Sequence, residues 1–441
     1  MRGSEGAIIA ASGGDAPPFP RASTEAPRGV RIVPPMRKRN IDSVDVRGKR
    51  VFVRVDFNVP MEAGAITDDR RIRASLPTIR SILARGGRVI LASHLGRPEG
   101  KGHEPEYSLA PVARRLAELL GSDAPHGVLL PSNDPTDDEA RAAALALPER
   151  GVLLLDNLRF AKGEKKGDAA FAARLADLGE VYVNDAFGTS HRADASMFAL
   201  PMAMRAAGAP CVSGHLLAAE LEYLYARLAS PAAPFTAILG GAKVSDKILA
   251  IENLLSKVDR LVIGGAMAYT FLRAKGVATG ASRVEEDRVE LARGLLAKAA
   301  ERGCAILLPS DHVCGREFKA GTETEVVAGA IPDGWMGLDI GPATRATFAE
   351  AIRTSRTVVW NGPMGVFEMP PFDAGTRAVA EAVREATAAG AVTIAGGGDT
   401  AAAVEALGFA DGLSHVSTGG GASLEVLEGK RLVCLDALDD A

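Results

Sequence analysis

Short apolar runs rich in β-branched residues alternate along the chain with stretches of helical periodicity. The first runs cover residues 51–55, 88–92, 152–155 and 181–183, and helical patterns cover 70–84 and 110–120. After about residue 230 the alternation restarts, with runs at 235–239, 261–263, 305–307, 357–360, 392–395 and 415–417. Strands that alternate with helices predict parallel sheets covered by helices on both faces.

Two such series in 441 residues predict two doubly wound α/β domains, each a mostly parallel sheet covered by helices. We place the first domain at 38–210 and the second at 231–428. The stretch 211–228 has the pattern of a connecting helix, so we assign 211–230 to a hinge helix between the domains. Pro231 and Pro234 then open the second domain.

The first 37 residues differ from the rest because they are rich in proline and small residues. Such a composition cannot bury much apolar surface, so we expect a disordered extension. Met36 opens a plausible second start, and a targeting role for the extension is the alternative.

Overall composition excludes several classes of function. The net charge of −4 argues against general nucleic-acid binding, and no apolar run approaches the length that crosses a bilayer. The four cysteines form no CxxC pair with metal spacing, which is typical of free thiols in a reducing compartment.

Charged side chains follow the strands of the first series. In open α/β sheets, ligands bind at the carboxyl ends of strands. Three of the four strands lead to an arginine, namely Arg97, Arg159 and Arg192, and Arg71 begins the first helical stretch. Arginines that converge on one edge need a shared anion, and Asp56 and Asn58 at the same edge could bind hydroxyl groups. The pattern predicts a small, hydroxylated polyanion as ligand, although each arginine alone would suit a surface ion pair and His94 alone a structural role.

Glycine clusters follow the strands of the second series. They occur at 240–241, 264–265, 362–365, 396–398 and 419–421. Such turns into helices favour phosphate binding, and we expect Lys243 and Lys247, four residues apart, to share one helix face near a polyphosphate. Asp399 is either a helix N-cap or a ligand of a Mg²⁺ held by nucleotide phosphates. No P-loop or dinucleotide-binding motif is present.

The motifs RVDFNVP, SHLGRP, DNLRF, NDAFGTSHR, LGGAKVSDKI, NGPMGVFE, GGGDT and STGGGASLE resemble, in order, those of the phosphoglycerate kinase family. The resemblance runs from about residue 40 to 438. It implies a cytoplasmic, monomeric enzyme of glycolysis and gluconeogenesis that moves the acyl phosphoryl group of 1,3-bisphosphoglycerate to ADP with Mg²⁺. It also implies direct in-line transfer after hinge closure, and a tail, 429–441, that packs back on the first domain. Small molecules are the only partners it implies, with no nucleic acid and no membrane.

The resemblance carries roles to individual residues. Substrate binding is implied for Asp56, Phe57, Asn58, Arg71, His94, Leu95, Gly96, Arg97, Arg159 and Arg192. Nucleotide binding is implied for Gly241, Ala242, Lys243, Lys247, Gly265, Gly337, Asn361, Pro363, Glu368, Gly397, Gly398, Asp399 and Thr400. Glu368 would contact the ribose and Asp399 the metal. The catalytic positions would be Arg71, Lys243 and Gly398 from these sets, together with Gly421.

The chain departs from the family pattern at three places. Asp194 stands where the family usually has histidine, and we expect it to weaken anion binding or to pair with Arg192. Ala266 replaces a glycine beside the expected adenine position, with a small expected effect on nucleotide affinity. Val433 and Cys434 replace a more usual Pro-Gly pair and could alter tail docking. The alternatives are a kinase for another acyl phosphate and a non-catalytic nucleotide-binding scaffold, although the latter would be expected to lack Arg71 or Lys243.

Overall fold

The computed structural model describes residues 37–441. The expected disordered extension, 1–37, therefore lies outside the described residues except for Arg37. The described chain contains two six-stranded sheets. We call residues 37–213, which contain the first sheet, the first half, and residues 235–427, which contain the second, the second half.

The first half combines one parallel sheet, a small hairpin and six α-helices, and a seventh α-helix follows it. In the sheet the strand order is β5-β6-β4-β1-β7-β8, and all five strand pairs are parallel. The strands are β1 (Arg50–Val55), β2 (Met61–Glu62), β3 (Ala65–Ile66), β4 (Arg88–Ala92), β5 (Val128–Leu129), β6 (Val152–Leu154), β7 (Val181–Asp185) and β8 (Cys211–Ser213). The helices are α1 (Arg70–Ala84), α2 (Ala110–Leu120), α3 (Asp138–Leu145), α4 (Lys162–Lys165), α5 (Ala169–Ala176), α6 (Leu200–Ala206) and α7 (His215–Leu221).

The second half has a parallel sheet of order β11-β10-β9-β15-β16-β17 and a three-stranded antiparallel sheet of order β13-β12-β14. Its strands are β9 (Phe235–Leu239), β10 (Arg260–Ile263), β11 (Ala305–Leu307), β12 (Asp311–Gly315), β13 (Thr324–Ala328), β14 (Met336–Ile340), β15 (Thr357–Asn361), β16 (Val392–Ala395) and β17 (His415–Val416). Its helices are α8 (Ile248–Leu254), α9 (Met267–Ala274), α10 (Val289–Arg302), α11 (Pro342–Arg353), α12 (Ala374–Ala388), α13 (Gly398–Ala406) and α14 (Gly421–Leu427).

The central strands are buried along almost their whole length, which explains their unbroken apolar sequences. Val51, Phe52, Val53 and Val55 of β1 are fully buried, as are the apolar residues of β9 except for a trace of exposure at Phe235. Central parallel strands have such unbroken apolar sequences because helices cover both faces of their sheet. The fold class predicted from the sequence is therefore confirmed, as two parallel α/β sheets.

The expected helix over 211–228 is wrong at its start. Residues Cys211–Ser213 form the edge strand β8, which pairs with β7. Gly214 is the N-cap of α7, and π-helical turns continue the helix over Glu222–Arg227. The apolar face of this continuous helix joins the two halves, because Leu217, Leu221 and Leu224 belong to a hydrophobic cluster that includes residues of both sheets.

The segment after α14 returns to the first half. Cys434 N–H donates to the Ser190 carbonyl oxygen at 3.2 Å, and Asp439 N–H donates to the Cys211 carbonyl oxygen at 2.8 Å. Lys38 and Asp440 form an antiparallel bridge and an ion pair of 2.6 Å. Leu432, Leu435 and Leu438 are buried in the cluster shared by the two halves. The proposed domain boundaries themselves stay predictions.

Candidate functional site

The carboxyl edge of the first sheet holds a network of charged groups around Asp56. Arg71, at the start of α1, donates from Nη1 to Asp56 Oδ2 at 3.1 Å and to the Asn58 carbonyl oxygen at 3.0 Å. The Asn58 side chain accepts from Gly96 N–H at 2.8 Å, which ties the loop after β1 to the loop after β4. Because parallel strands end at one edge, residues far apart in sequence meet here.

His94 lies among the arginines of this edge. Its Nδ1 atom is 3.9 Å from Asp56 Oδ1 and 3.5 Å from Arg54 Nη2. Burial, and then the positive charges of neighbouring arginines, hold the pKa of His94 well below its ordinary value, so the imidazole is neutral. The arginines responsible are Arg54, Arg159, Arg192 and Arg71. Their combined effect on one imidazole places three of the four arginines predicted from the sequence in one electrostatic cluster.

Arg159 is the most deeply placed of the predicted arginines, with 7% of its side chain exposed. Nη1 donates to the Gly96 carbonyl oxygen at 2.8 Å, whereas Nε is buried with no partner among the described residues. Burial and the charge of Arg192 lower the pKa of Arg159. A buried guanidinium N–H without an acceptor is costly, so this group favours binding of an anion.

Asp194 lies next to Arg159, and the expected pairing with Arg192 is wrong. Its Oδ2 atom is 4.0 Å from Arg159 Nη2, and this oxygen is buried without a hydrogen-bond partner in the described chain. Arg192 instead contacts the His191 ring, from Nε to Nε2, at 3.1 Å. The loop that follows β7 directs the Asp194 side chain inward and leaves Arg192 exposed.

The other predicted positions of the first half differ in the solvent exposure of their side chains. Arg97 is exposed and makes no hydrogen bond or ion pair within residues 37–441. The Phe57 and Leu95 side chains are core residues, 0% and 3% exposed. Only their backbone faces the loops, where Phe57 N–H donates to Ser93 Oγ at 2.8 Å.

Sequence reasoning missed a buried polar group beneath the arginines. Arg54, on β1, is fully buried and donates from Nε to Ser196 Oγ at 2.8 Å. Ser196 Oγ in turn donates to Glu164 Oε1 at 2.6 Å, and burial raises the pKa of Glu164. A charged residue inside an apolar strand was the available signal at Arg54. Nothing local in the sequence KGEK distinguishes Glu164 from a surface residue.

In the second half, three glycine-bearing loops pack backbone against backbone. They follow β9, β10 and β15. A Cβ atom on Gly265 would lie 2.5 Å from Gly241 N, and one on Gly362 would lie 2.3 Å from the Gly240 carbonyl oxygen. Pro363 joins them, since its carbonyl oxygen accepts from Gly241 N–H at 3.1 Å. Glycine is therefore required for these loops to meet, and the contacts bring Gly241, Gly265 and Pro363 together, while their role in nucleotide binding stays a prediction.

The two predicted lysines do not share a helix face, because α8 begins only at Ile248. The turn that carries them is held by Glu285, which accepts from Ser245 N–H at 3.1 Å and from Ser245 Oγ at 2.6 Å. Lys243 is exposed on this turn. Lys247 points inward, and its Nζ contacts Asn361 Oδ1 and lies 3.3 Å from the Asn361 carbonyl oxygen. Burial lowers the pKa of Lys247 to about 8, against the opposing charges of Asp399 and Asp246.

The loop before α13 completes this side. Gly397 is the N-cap, with φ of 95°, so Asp399 is not a cap but an exposed residue of the first turn. Thr400 Oγ1 accepts from Gly362 N–H at 2.7 Å and donates to the Gly396 carbonyl oxygen at 2.8 Å. The α13 N-terminus thus lies beside Asn361 and Lys247, where its free N–H groups favour an anion.

We call the group formed by Lys247, Asn361 and the α13 N-terminus the lysine cradle. The remaining predicted nucleotide positions lie outside this group. Gly337 is buried on β14, with its N–H donating to Ser282 Oγ at 2.9 Å and the Tyr269 hydroxyl against its Cα. Glu368 and Ala242 are exposed. No hydrogen bond or ion pair connects Glu368 to either lysine in the described part of the chain. Ala266 is the N-cap of α9 and is half-buried.

The loop that precedes α14 lies against the charged edge of the first half. A Cβ atom on Gly188 would be 2.8 Å from Asp56 Oδ2 and 3.6 Å from the Thr418 carbonyl oxygen. A Cβ atom on Gly419 would be 2.2 Å from the Phe187 ring. Thr418 N–H also donates to Glu220 of α7 at 3.0 Å. Gly421, the first residue of α14, is open to solvent.

The described residues contain no cluster that could hold a metal by itself. Within 37–441, no three His, Cys, Asp or Glu side chains are grouped suitably. All four cysteines are buried and unpaired. No helix of the described chain is long and apolar enough to cross a membrane.

Comparisons with known proteins agree on one family. The family model described as phosphoglycerate kinase matches residues 41–430. A phosphoglycerate kinase from Rhodopirellula baltica is 55% identical over 410 residues, which cover 92% of this chain and 100% of that protein. The cytosolic phosphoglycerate kinase of Triticum aestivum is 53% identical over 409 residues, covering 92% and 99%. The solved structure of phosphoglycerate kinase from Coxiella burnetii has 40% identity and a TM-score of 0.80, covering 91% of this chain and 98% of that one.

Two parallel α/β sheets with this likeness define a phosphoryl-transferring enzyme, a kinase. The chain belongs to the phosphoglycerate kinase family.

Proposed function

We propose that this enzyme transfers the acyl phosphoryl group of 1,3-bisphosphoglycerate to MgADP, giving 3-phosphoglycerate and MgATP, and that it also runs the reverse reaction. The observation that carries the proposal is the group of charged side chains at the carboxyl edge of the first sheet, where Arg71 bonds Asp56, His94 lies 3.9 Å from Asp56, and Arg159 is buried. A small ligand with a phosphate, a carboxyl group and a hydroxyl matches that group together with Asn58.

In this proposal the first half binds phosphoglycerate. Arg159 offers a buried Nε–H that lacks an acceptor in the described chain, and Arg97 and Arg192 offer exposed guanidinium groups. Asp56 is already oriented by Arg71 at 3.1 Å, which suits it to accept from the substrate hydroxyl. His94 stays neutral and supports the cluster from below.

The second half binds the nucleotide. Lys247 and the α13 N-terminus supply positive charge and free N–H groups for phosphates. Gly265 and Gly337 are packed against Gly241 and Tyr269 within this half, so their assignment to nucleotide binding, like that of Gly241, comes from the family motif. Glu368 is assigned to the ribose by the family motif.

The residues present fit a Mg²⁺ that is shared with nucleotide phosphates. Mg²⁺ takes one or two carboxylates and completes its shell with phosphate oxygens and water. Asp399 presents a single exposed carboxylate next to the α13 N-terminus, which matches that pattern. When bound, the ion would offset the negative charge of the phosphates.

The transfer needs no covalent intermediate on the protein. Phosphoryl transfer depends on positioning and on charge stabilisation. Arg71 from the first half and Lys243 from the second would approach the group in transit, and the N–H groups of Gly398 and Gly421 would hold its oxygens. Movement about α7 would close the two sides on each other and exclude water that would hydrolyse the acyl phosphate.

We also propose that the enzyme is a cytoplasmic monomer whose partners are small molecules. The net charge of −4 disfavours nucleic acid, and the Triticum aestivum relative is named cytosolic, while an Arabidopsis thaliana relative is named chloroplastic. Cell fractionation and size-exclusion chromatography test both statements.

The decisive experiment measures ATP formation from ADP and 1,3-bisphosphoglycerate with and without Mg²⁺. We expect Mg²⁺-dependent turnover in the full chain and a collapse of turnover in Lys243→Ala. Lys298→Ala is the matched control, because Lys298 pairs with Glu252 on the surface at 2.6 Å, away from the cradle. Absence of turnover in a correctly folded full chain contradicts the proposal.

A further inference from the structure

Within the described residues, an ion pair joins the first half to the second half. Arg70, the first residue of α1, lies with its Nε 3.3 Å from Glu405 Oε2. Glu405 belongs to α13, in the second half. The pair is half-exposed, with 32% of the Arg70 side chain and 40% of the Glu405 side chain accessible to solvent.

The Arg70 side chain is oriented by hydrogen bonds within the first half. Asp68 accepts from Arg70 N–H at 2.9 Å and from Arg70 Nε at 2.7 Å. Asp68 and then Glu405 raise the pKa of Arg70, so the guanidinium keeps its charge. The next acidic residue, Asp69, is occupied by Arg73 at 2.8 Å and by Arg115 at 2.8 Å. Glu405 therefore has Arg70 as its counter-charge.

The two helices that this pair connects carry the groups proposed for phosphoryl transfer. Arg71 follows Arg70 directly and is bonded to Asp56. Glu405 lies seven residues after Gly398, which is about 10 Å along a helix axis. A fixed distance between Arg70 and Glu405 consequently fixes how Arg71 faces the amino end of α13.

The surroundings allow the pair to break and form. A cavity of about 670 Å³ opens beside it, lined by Ala65, Thr67, Asp68, Arg70, Arg114 and Glu405. Water and ions reach both partners, so salt screens the attraction. A half-exposed pair of this kind shifts an equilibrium by about twofold to fivefold. That range suits a reversible closure, since a stronger contact would slow reopening.

We propose that Arg70 and Glu405 are positioning residues that latch the two halves together and align Arg71 with the α13 N-terminus. The inference rests on the proposed phosphoryl transfer for its catalytic consequence. The latch itself is a property of the free protein and is measured without substrates.

The test uses the full chain with spin labels on Ala142→Cys in α3 and Ala388→Cys in α12, both exposed positions, because the native cysteines are all buried. In Arg70→Gln and in Glu405→Gln, we expect the population at the short label distance to fall about twofold to fivefold. Added salt should produce the same loss in the parent and little further loss in the variants. The double variant should match either single variant, because both remove one contact.

Two control variants break similar pairs inside one half. Arg73→Gln removes the contact with Asp69 in α1, and Arg384→Gln removes the contact with Glu381 in α12. Neither should change the label distances. In steady-state assays the latch variants should lose kcat by the same twofold to fivefold, with the KM of each substrate nearly unchanged.

Label distances that stay unchanged in both latch variants overturn the proposal. So does a double variant whose loss equals the product of two independent losses. If the parent shows no phosphoryl transfer but its label distances respond as expected, the proposed function fails while the latch stands. If transfer is normal and the distances do not respond, the latch alone fails.

Discussion

Asp194 puts a carboxylate into a site whose other charges are mostly positive. Its Oδ2 atom is 4.0 Å from Arg159 and has no hydrogen-bond partner in the described chain. It also lies close enough to Glu164 to contribute to the raised pKa of that residue. In the free enzyme the Asp194 carboxylate therefore offsets positive charge that a bound phosphate would otherwise offset.

Replacing Asp194 should therefore strengthen anion binding. In Asp194→Asn we expect the KM for 3-phosphoglycerate to fall about threefold to tenfold and its dependence on salt to become steeper, because one competing negative charge is gone. Asp177→Asn, at an exposed position after α5, is the control. Unchanged affinity together with unchanged salt dependence would contradict the role given to Asp194.

If Lys247 binds nucleotide phosphates as proposed, its lowered pKa makes nucleotide binding dependent on pH. Its pKa of about 8 in the free protein lies below the ordinary 10.5, so the ammonium loses its proton as pH rises through 8. Phosphates bind the charged form, and nucleotide affinity should fall between pH 7 and 9, approaching a tenfold loss per pH unit above 8. Lys247→Arg keeps its charge, so its affinity for ADP should be nearly flat over that range. Calorimetric titration of both proteins distinguishes the two slopes, and a flat profile in the parent would count against this assignment.

At the scale of single residues, the sequence reveals which chemical groups are present but not which of them are buried. Asp56 and Arg159 could be predicted to lie at the sheet edge because they come soon after strands, and Arg71 because it lies at the start of the first helical stretch. Glu164 and Ser196 could not, since their burial depends on Arg54, which is over one hundred positions away from each of them in sequence. Individual ligand contacts stay predictions.

At the scale of the helices and strands, the amino end of α7 is hydrogen-bonded to a buried carboxylate at the end of β7. Asp185 Oδ1 accepts from Leu216 N–H at 3.0 Å and from Leu217 N–H at 3.3 Å. Burial raises the pKa of Asp185 to about 7, although these hydrogen bonds oppose the rise. The helix that links the halves is thus anchored by a group that titrates near neutral pH.

This anchor predicts a stability difference that changes with pH. The folded protein binds the Asp185 proton up to about pH 7, whereas the unfolded chain releases it near the ordinary value of 3.8. Between these values the folded state holds more protons, so the contribution of Asp185 to the free energy of unfolding falls as pH rises. In Asp185→Asn that fall is absent, and the Tm difference, variant minus parent, should increase from pH 5 to pH 8.

The exposed Asp333→Asn should show no such trend in Tm difference. A Tm difference for Asp185→Asn that is constant across the range would mean that Asp185 is ionised throughout.

The ten predicted strands all occur. The central ones are buried on both faces, which explains their unbroken apolar runs, whereas the edge strands β11 and β17 are only partly buried. The lysine turn was misjudged because Glu285, some forty positions later, holds its backbone in place of a helix. The antiparallel strands β12 to β14 were not predicted. β13 is largely exposed, and its sequence TEVVA has no buried face to mark it.

For the whole molecule, the contact of Gly419 with Phe187 limits how closely the halves approach. A Cβ atom there would lie 2.2 Å from a buried ring, so Gly419→Ala should hold the loop before α14 away from the first half. We expect kcat to fall about tenfold to a hundredfold, since transfer depends on alignment within about 1 Å. ADP affinity should change less than about twofold, because the lysine cradle lies on other loops.

Gly294→Ala is the control for this substitution. Gly294 lies within α10, and a methyl group added there would have nothing within 4 Å, so the change should leave kcat unaltered. A normal kcat in Gly419→Ala would mean that the Phe187 ring moves aside at little cost, which would contradict this prediction.

The segment after α14 gives the molecule a connectivity that is not modular. The first half is built from residues 37–213 together with a segment more than two hundred positions later, whose Leu432, Leu435 and Leu438 are buried in the shared cluster. A fragment cut after α7 would lack those side chains and leave apolar surface uncovered. If two related enzymes were recombined with a single crossover near α7, the first sheet of one parent would likewise be combined with the segment after α14 of the other parent. Exchange of an intact half therefore requires two crossovers, and the lineage of the first half should include residues 430–441.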